Sequence, residues 1–96
     1  MIQQDFQGVL NEMLNTYIAK NHDYGDSFGK TFAEFGIVAP VVRMNDKMER
    51  IKTLIKLDAN VKESIRDTLA DLANYCVMTI VELDKRGGEW TSSCTE

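Results

Sequence analysis

The stretch that decides the fold is ESIRDTLADLANYCVMTIVELDK, residues 63–85. At ~100° per residue, Ile65, Leu69, Leu72, Cys76 and Ile80 fall on one apolar stripe, and Asp67, Asp71 and Asn74 point almost directly away from it. That period predicts a long amphipathic helix. Asn60 with Glu63 three residues on fits its N-terminal cap, and RGG at 86–88 fits its stop near Lys85. The polar face does not stay polar. It continues into Met78 and Val81, so carboxylates and apolar residues share a stripe that another helix or another subunit would have to cover.

Upstream, Val41, Met44, Met48, Ile51 and Ile55 mark a second apolar stripe running to about Leu57. Pro40, the only proline, suits the first turn of that helix, where its missing donor costs little. A first helix is predicted from Ile2 to about Lys20, with Phe6, Val9, Leu10, Met13, Leu14, Tyr17 and Ile18 at three-and-four spacing. Between the first two helices, NHDYGDSFGKTFAEFG at 21–36 carries three glycines and reads as a loop with a helical turn around Phe32 to Phe35. The expected fold is therefore all-α: three main helices with a glycine-containing loop after the first. Residues 1–86 form one domain, and 87–96 a flexible tail in which Trp90 is the residue able to dock. Three helices make a thin core, so the bundle is expected to be completed by homo-oligomerisation.

The 96 residues are 44% hydrophobic and 27% charged, the balance of a folded rather than a disordered chain. A net charge of -4 and a pI near 4.9, with no basic stripe, argue against nucleic acid as a bulk partner. No run of ~18 apolar residues predicts a membrane span. Cys76 lies in a helical run and Cys94 in the polar tail, which suggests neither a disulfide framework nor a zinc knuckle. With no basic, apolar leader at the start, a reducing cytoplasmic setting is expected.

The candidate chemistry lies in the acids. Carboxylates one helical turn apart repel each other by ~1 kcal/mol in water and by more where the dielectric falls. A divalent cation relieves that cost. Asp46 and Glu49 share roughly one side of the second helix, and Asp67 and Asp71 one side of the third. Oxygen ligands without nearby His or Cys favour Mg2+, with Mn2+ an option, and such ions keep waters and bind substrate phosphates. The implied chemistry is metal-assisted phosphate hydrolysis, with metal at Asp46, Glu49, Asp67 and Asp71 and with Glu49 or Glu63 orienting the water. Asp46 and Glu49 equally fit surface ion pairs, and Glu63 equally fits the cap of Asn60. Asp67 and Asp71 are harder to explain as bystanders, because aspartate is a poor mid-helix residue.

Lys20, His22, Asp23, Tyr24, Ser27 and Lys30 in the polar connection could contact base, sugar or phosphate, with Lys47 and Arg50 beside the acids and Asn74 on the acidic stripe. His22 reads more naturally as an exposed or capping residue than as a catalytic one, and Met44 and Met48 as core.

Three blocks, KNHDYGDSF, VVRMNDKMERIKTL and ESIRDTLADLANYCVM, resemble in order the nucleotide modification associated domain 1 family, small helical proteins common in phages and bacteria; the resemblance spans roughly residues 17–84. The acidic pairs are also loosely similar to those of MazG-like all-α nucleoside triphosphate pyrophosphohydrolases, in which an E-x-x-E and an E-x-x-D pair hold magnesium. In that comparison Asp46 and Glu49 stand for the first pair, with Asp46 in place of glutamate. Asp67 and Asp71 are four apart rather than three, and Asp71 with Asn74 keeps the spacing but not the chemistry. The resemblance implies a homodimer or homotetramer acting on a small-molecule nucleotide in the cytoplasm of a bacterium or a phage-infected host. The expected reaction is Mg-dependent cleavage of a (deoxy)nucleoside triphosphate to monophosphate and pyrophosphate. The alternative is a non-catalytic nucleotide-binding or sequestering phage accessory protein, linked to nucleotide modification or anti-defence.

Overall fold

The computed structural model describes residues 2–24, 26–57 and 62–89, the side chains of residues 23, 24, 62 and 63 excepted. The described residues form four α-helices and no strand: α1 (Gln3–Tyr24), α2 (Ser27–Phe35), α3 (Val38–Ile55) and α4 (Lys62–Lys85). Three of them are the expected helices. The glycine-rich connection is the difference.

Most of that connection is helical. α1 continues through Asn21 and His22, one turn past Lys20, and α2 occupies nine residues of the expected loop. Gly29 sits buried inside α2, where a Cβ would come within 2.8 Å of the Asp26 carboxylate. This glycine serves close approach rather than a turn. Asp26 takes the strained left-handed conformation at the start of α2 (φ 61°), and Gly36 takes φ 73° at its end, its N–H donating to the Phe32 carbonyl at 2.7 Å.

Pro40 lies in the first turn of α3, where backbone donors have no helical partner anyway. α4 ends as the sequence suggests: Gly87 and Gly88 have φ 63° and 86°, and the Gly88 N–H donates to the Leu83 carbonyl at 2.7 Å, a six-to-one closure. Asn60, Trp90 and the rest of the tail lie outside the described residues.

α3 and α4 form an antiparallel hairpin, tied by Lys47 to Asp71 and by the Cys76 thiol donating to the Met44 sulfur at 3.6 Å. α2 closes one end of it. Phe32 is 1% exposed and packs under the Arg86 guanidinium, 5.0 Å from the ring centroid. Arg86 also bonds the buried Glu82 carboxylate at 3.1 Å and reaches the Gly29 carbonyl at 3.5 Å, joining α4 to α2. α1 crosses α4 and is held there by two 2.9 Å hydrogen bonds from Arg66 to Glu12.

α4 is rotated from the orientation its sequence suggests. Its buried line is Thr68, Thr79 and Glu82, whereas Leu69 and Ile80 on the expected apolar stripe are 50% and 57% exposed. The threonine hydroxyls donate to the carbonyls of Ser64 and Tyr75 on their own helix, so burying them leaves no donor unpaired. Met48, expected in the core, is 42% exposed. Among the described residues the buried apolar side chains are Phe32 and Leu54, beside a fully buried Pro40. The radius of gyration is 15.2 Å, against about 12.5 Å for a compact domain of this length. No described helix is long and apolar enough to cross a membrane.

Candidate functional site: a basic cleft between the helices

All four helices contribute to one cleft of about 540 Å³. The last turns of α1 bring Thr16, Tyr17, Lys20 and Asn21 to its wall. α2 brings Ser27 and Phe28 to the rim. Arg43 and Lys47, one turn apart on α3, form a cationic wall, and Asp71, Asn74 and Tyr75 line the α4 side.

The cleft holds three cations, Lys20, Arg43 and Lys47, and one carboxylate, Asp71, within a protein of net charge -4. Asp71 is shared: Lys47 Nζ lies 3.4 Å from one oxygen and Lys20 Nζ 3.7 Å from the other. Arg43 has no ion pair of 4.0 Å or less to a described carboxylate. Phe28 and Tyr75 make an aromatic contact, ring centroids 6.2 Å apart and planes tilted by 31°, which gives the basic wall an apolar neighbour. Phosphate oxygens beside the cations and a flat ring beside the aromatics are the ligand groups such a surface suits.

Lys20, Ser27, Asp71 and Asn74 of the sequence-derived site meet in this cleft. His22, Lys30 and Arg50 are exposed and lie outside its lining. Arg50 stands on the same side of α3 as Arg43 but two turns further along. The side chains at Asp23, Tyr24 and Glu63 lie outside the described residues.

The proposed carboxylate cage is dispersed. Asp46, Glu49 and Asp67 are exposed and none lines the cleft; Glu49 pairs instead with Lys52 at 3.1 Å. Two residues on from Lys47, Glu49 falls on the far side of α3. Asp67 shares its side of α4 with Asp71 but sits one turn beyond the cleft. Among the described residues no three His, Cys, Asp or Glu side chains are placed to hold a metal ion together.

Sequence reading missed Arg43, Phe28 and Tyr75. Arg43 and Lys47 at four-residue spacing on a helix of otherwise apolar stripe were the signal available for the first. Phe28 and Tyr75 are 47 positions apart and meet only because α2 folds over the end of the hairpin.

A family model described as nucleotide modification associated domain 1 matches residues 20–83, a segment that contains every cleft residue except Thr16 and Tyr17. No curated protein and no solved structure matches the chain.

Proposed function

The chain belongs to the nucleotide modification associated domain 1 family, and from that membership we propose that its basic cleft binds a small phosphorylated nucleotide. The observation that carries this reading is the convergence of Lys20, Arg43 and Lys47 on one cavity beside the Phe28 and Tyr75 rings. The guanidinium of Arg43 is the planar donor suited to grip two phosphate oxygens at once, with the lysines as point charges beside it. The aromatic pair offers a face for the base, and the Asn74 amide can hydrogen-bond to its edge.

Binding leads over turnover in this reading because the described acids do not make a cage. Magnesium, or manganese, enters as the companion ion of a triphosphate, carried in on the phosphates with Asp71 the carboxylate nearest to them. The working form is a homodimer or homotetramer in the cytoplasm, where free nucleotides are found, and the protein serves as an accessory to nucleotide modification.

The test is thermal stabilisation and calorimetry with a panel of nucleoside mono-, di- and triphosphates, with and without Mg2+, followed by product analysis. Stabilisation that is lost in Arg43→Ala and Lys47→Ala supports the site. No response to any nucleotide overturns it. Pyrophosphate release that disappears in Asp71→Ala would move the protein from binder to hydrolase.

A further inference from the structure

The α4 stripe that starts with Asp71 and Asn74 does not end with the basic cleft. Met78 and Val81 continue it on the same side of the helix, and with Val77 they line a second cavity of about 340 Å³. Leu10, Met13 and Leu14 reach that cavity from α1. Tyr17, Phe28, Asn74 and Met78 line both cavities, so the two form one groove whose chemistry changes along its length. Lys20, Arg43 and Lys47 mark the basic end, apolar side chains the middle, and the carboxylates of Asp26 and Glu82 the other end. Helical rise puts Glu82 about 16 Å beyond Asp71, long enough for a base, a sugar and phosphates laid end to end.

The two acids differ. Glu82 is neutralised by Arg86 at 3.1 Å and Lys85 at 3.5 Å. The Asp26 side chain precedes α2 without capping it and makes no ion pair of 4.0 Å or less with a described cation. Gly29 leaves that carboxylate its place, since a Cβ there would stand 2.8 Å from one oxygen and 3.0 Å from the other. We infer that the apolar groove takes the base of the nucleotide whose phosphates occupy the cleft, and that Asp26 selects guanine. The inference rests on the reading of the cleft as a phosphate site. A carboxylate offers two acceptor oxygens side by side and no donor. Guanine presents two adjacent donors to match them, its ring N1–H and its exocyclic amino group. Adenine and cytosine set an amino donor beside a ring acceptor, and uracil and thymine set one N–H between two carbonyls, so each turns a lone pair towards the carboxylate. Phe28, which lines both cavities, supplies a face for the flat ring.

Calorimetry of the full chain with GTP, ATP, CTP, UTP and inosine triphosphate at fixed Mg2+, beside inorganic triphosphate, tests it. GTP should bind about tenfold more tightly than ATP, CTP and UTP, the scale of hydrogen bonds to a charged group. Inosine triphosphate, which lacks the amino donor, should fall between them. Asp26→Asn keeps the side-chain shape and suits the left-handed backbone at this position, so the fold should persist. It should bring GTP to the level of ATP and leave the affinity for inorganic triphosphate unchanged. Equal affinity for all the nucleotides, a preference for another base, or a GTP preference that survives Asp26→Asn overturns the guanine groove while the basic cleft stands. Absence of binding by inorganic triphosphate and by every nucleotide overturns both.

Discussion

Lys47 and Asp71 face each other across the α3–α4 hairpin at 3.4 Å, and Lys20 reaches the same carboxylate from α1 at 3.7 Å. Asp71 thus occupies two of the three cations that an incoming phosphate would use. Its side chain is 34% exposed, so each pair is worth about 0–1 kcal/mol. Asp71→Asn keeps the shape and releases both lysines. Phosphate-dependent binding should tighten by up to about fivefold in that variant, read by calorimetry with inorganic triphosphate. Weaker binding would instead give Asp71 a positive role through a cation.

The exposed acids should behave differently. Asp46→Ala and Glu49→Ala remove carboxylates that do not line the cleft, and their nucleotide affinity should stay within about twofold of wild type, inside the ±0.5 kcal/mol of ordinary surface changes. Lys47→Ala should lose about tenfold, the usual scale for a hydrogen bond to a charged group. A tenfold loss in Glu49→Ala would bring the carboxylate-cage reading back.

Phe32→Ala should be the most damaging single change in the described core. The ring is 1% exposed and carries both the α2 packing and the Arg86 contact, so a loss of about 3–5 kcal/mol is expected in urea unfolding. Arg86 Nε is already buried without a hydrogen-bond partner. Removing the ring beneath it leaves the guanidinium held by Glu82 and the Gly29 carbonyl alone, and α2 should detach before the hairpin melts. Unfolding in a single step at an unchanged midpoint would contradict this.

The helices of the hairpin were legible because their periods are long and their ends are punctuated: Pro40 opens one, and Gly87 with Gly88 closes the other. Of α2 only the turn around Phe32 to Phe35 was legible. Gly29 looks like a breaker in sequence, yet it lies inside the helix, with the Asp26 carboxylate 2.8 Å from where a Cβ would stand. The rotation of α4 was hidden for a different reason. Apolar periodicity identifies which residues want cover, and Leu69 and Ile80 do, but nothing in one chain's sequence says that Phe32 and Arg86 will claim the neighbouring Thr79 and Glu82 line instead. Of the residues singled out in the sequence, Lys20, Asp71 and Asn74 come together in the cleft because they lie on facing lines of the hairpin and α1. Asp46 and Glu49 do not line it: Glu49 falls on the far side of α3 from Lys47, and Asp46, though three residues on from Arg43, is exposed outside the lining.

The attachment of α1 should depend on acid. Two hydrogen bonds from Arg66, and then its charge, hold the Glu12 carboxyl below its ordinary value of 4.5. A carboxyl with a depressed folded-state pKa contributes stability at pH values above its unfolded value and loses it as pH falls through the folded one. The bridge therefore acts at neutral pH and fades below about 4.5. It is the long-range ion pair that joins the first half of α1 to α4, so its loss should free the helix that carries Lys20 into the cleft. Glu12→Gln should have a slightly lower urea midpoint than wild type at neutral pH, and the two should converge at acid pH, once the pH has fallen through the lowered folded-state value and the carboxyl is protonated in both folded and unfolded chains. A gap of the same size at both pH values would show that Glu12 acts through packing rather than through its charge.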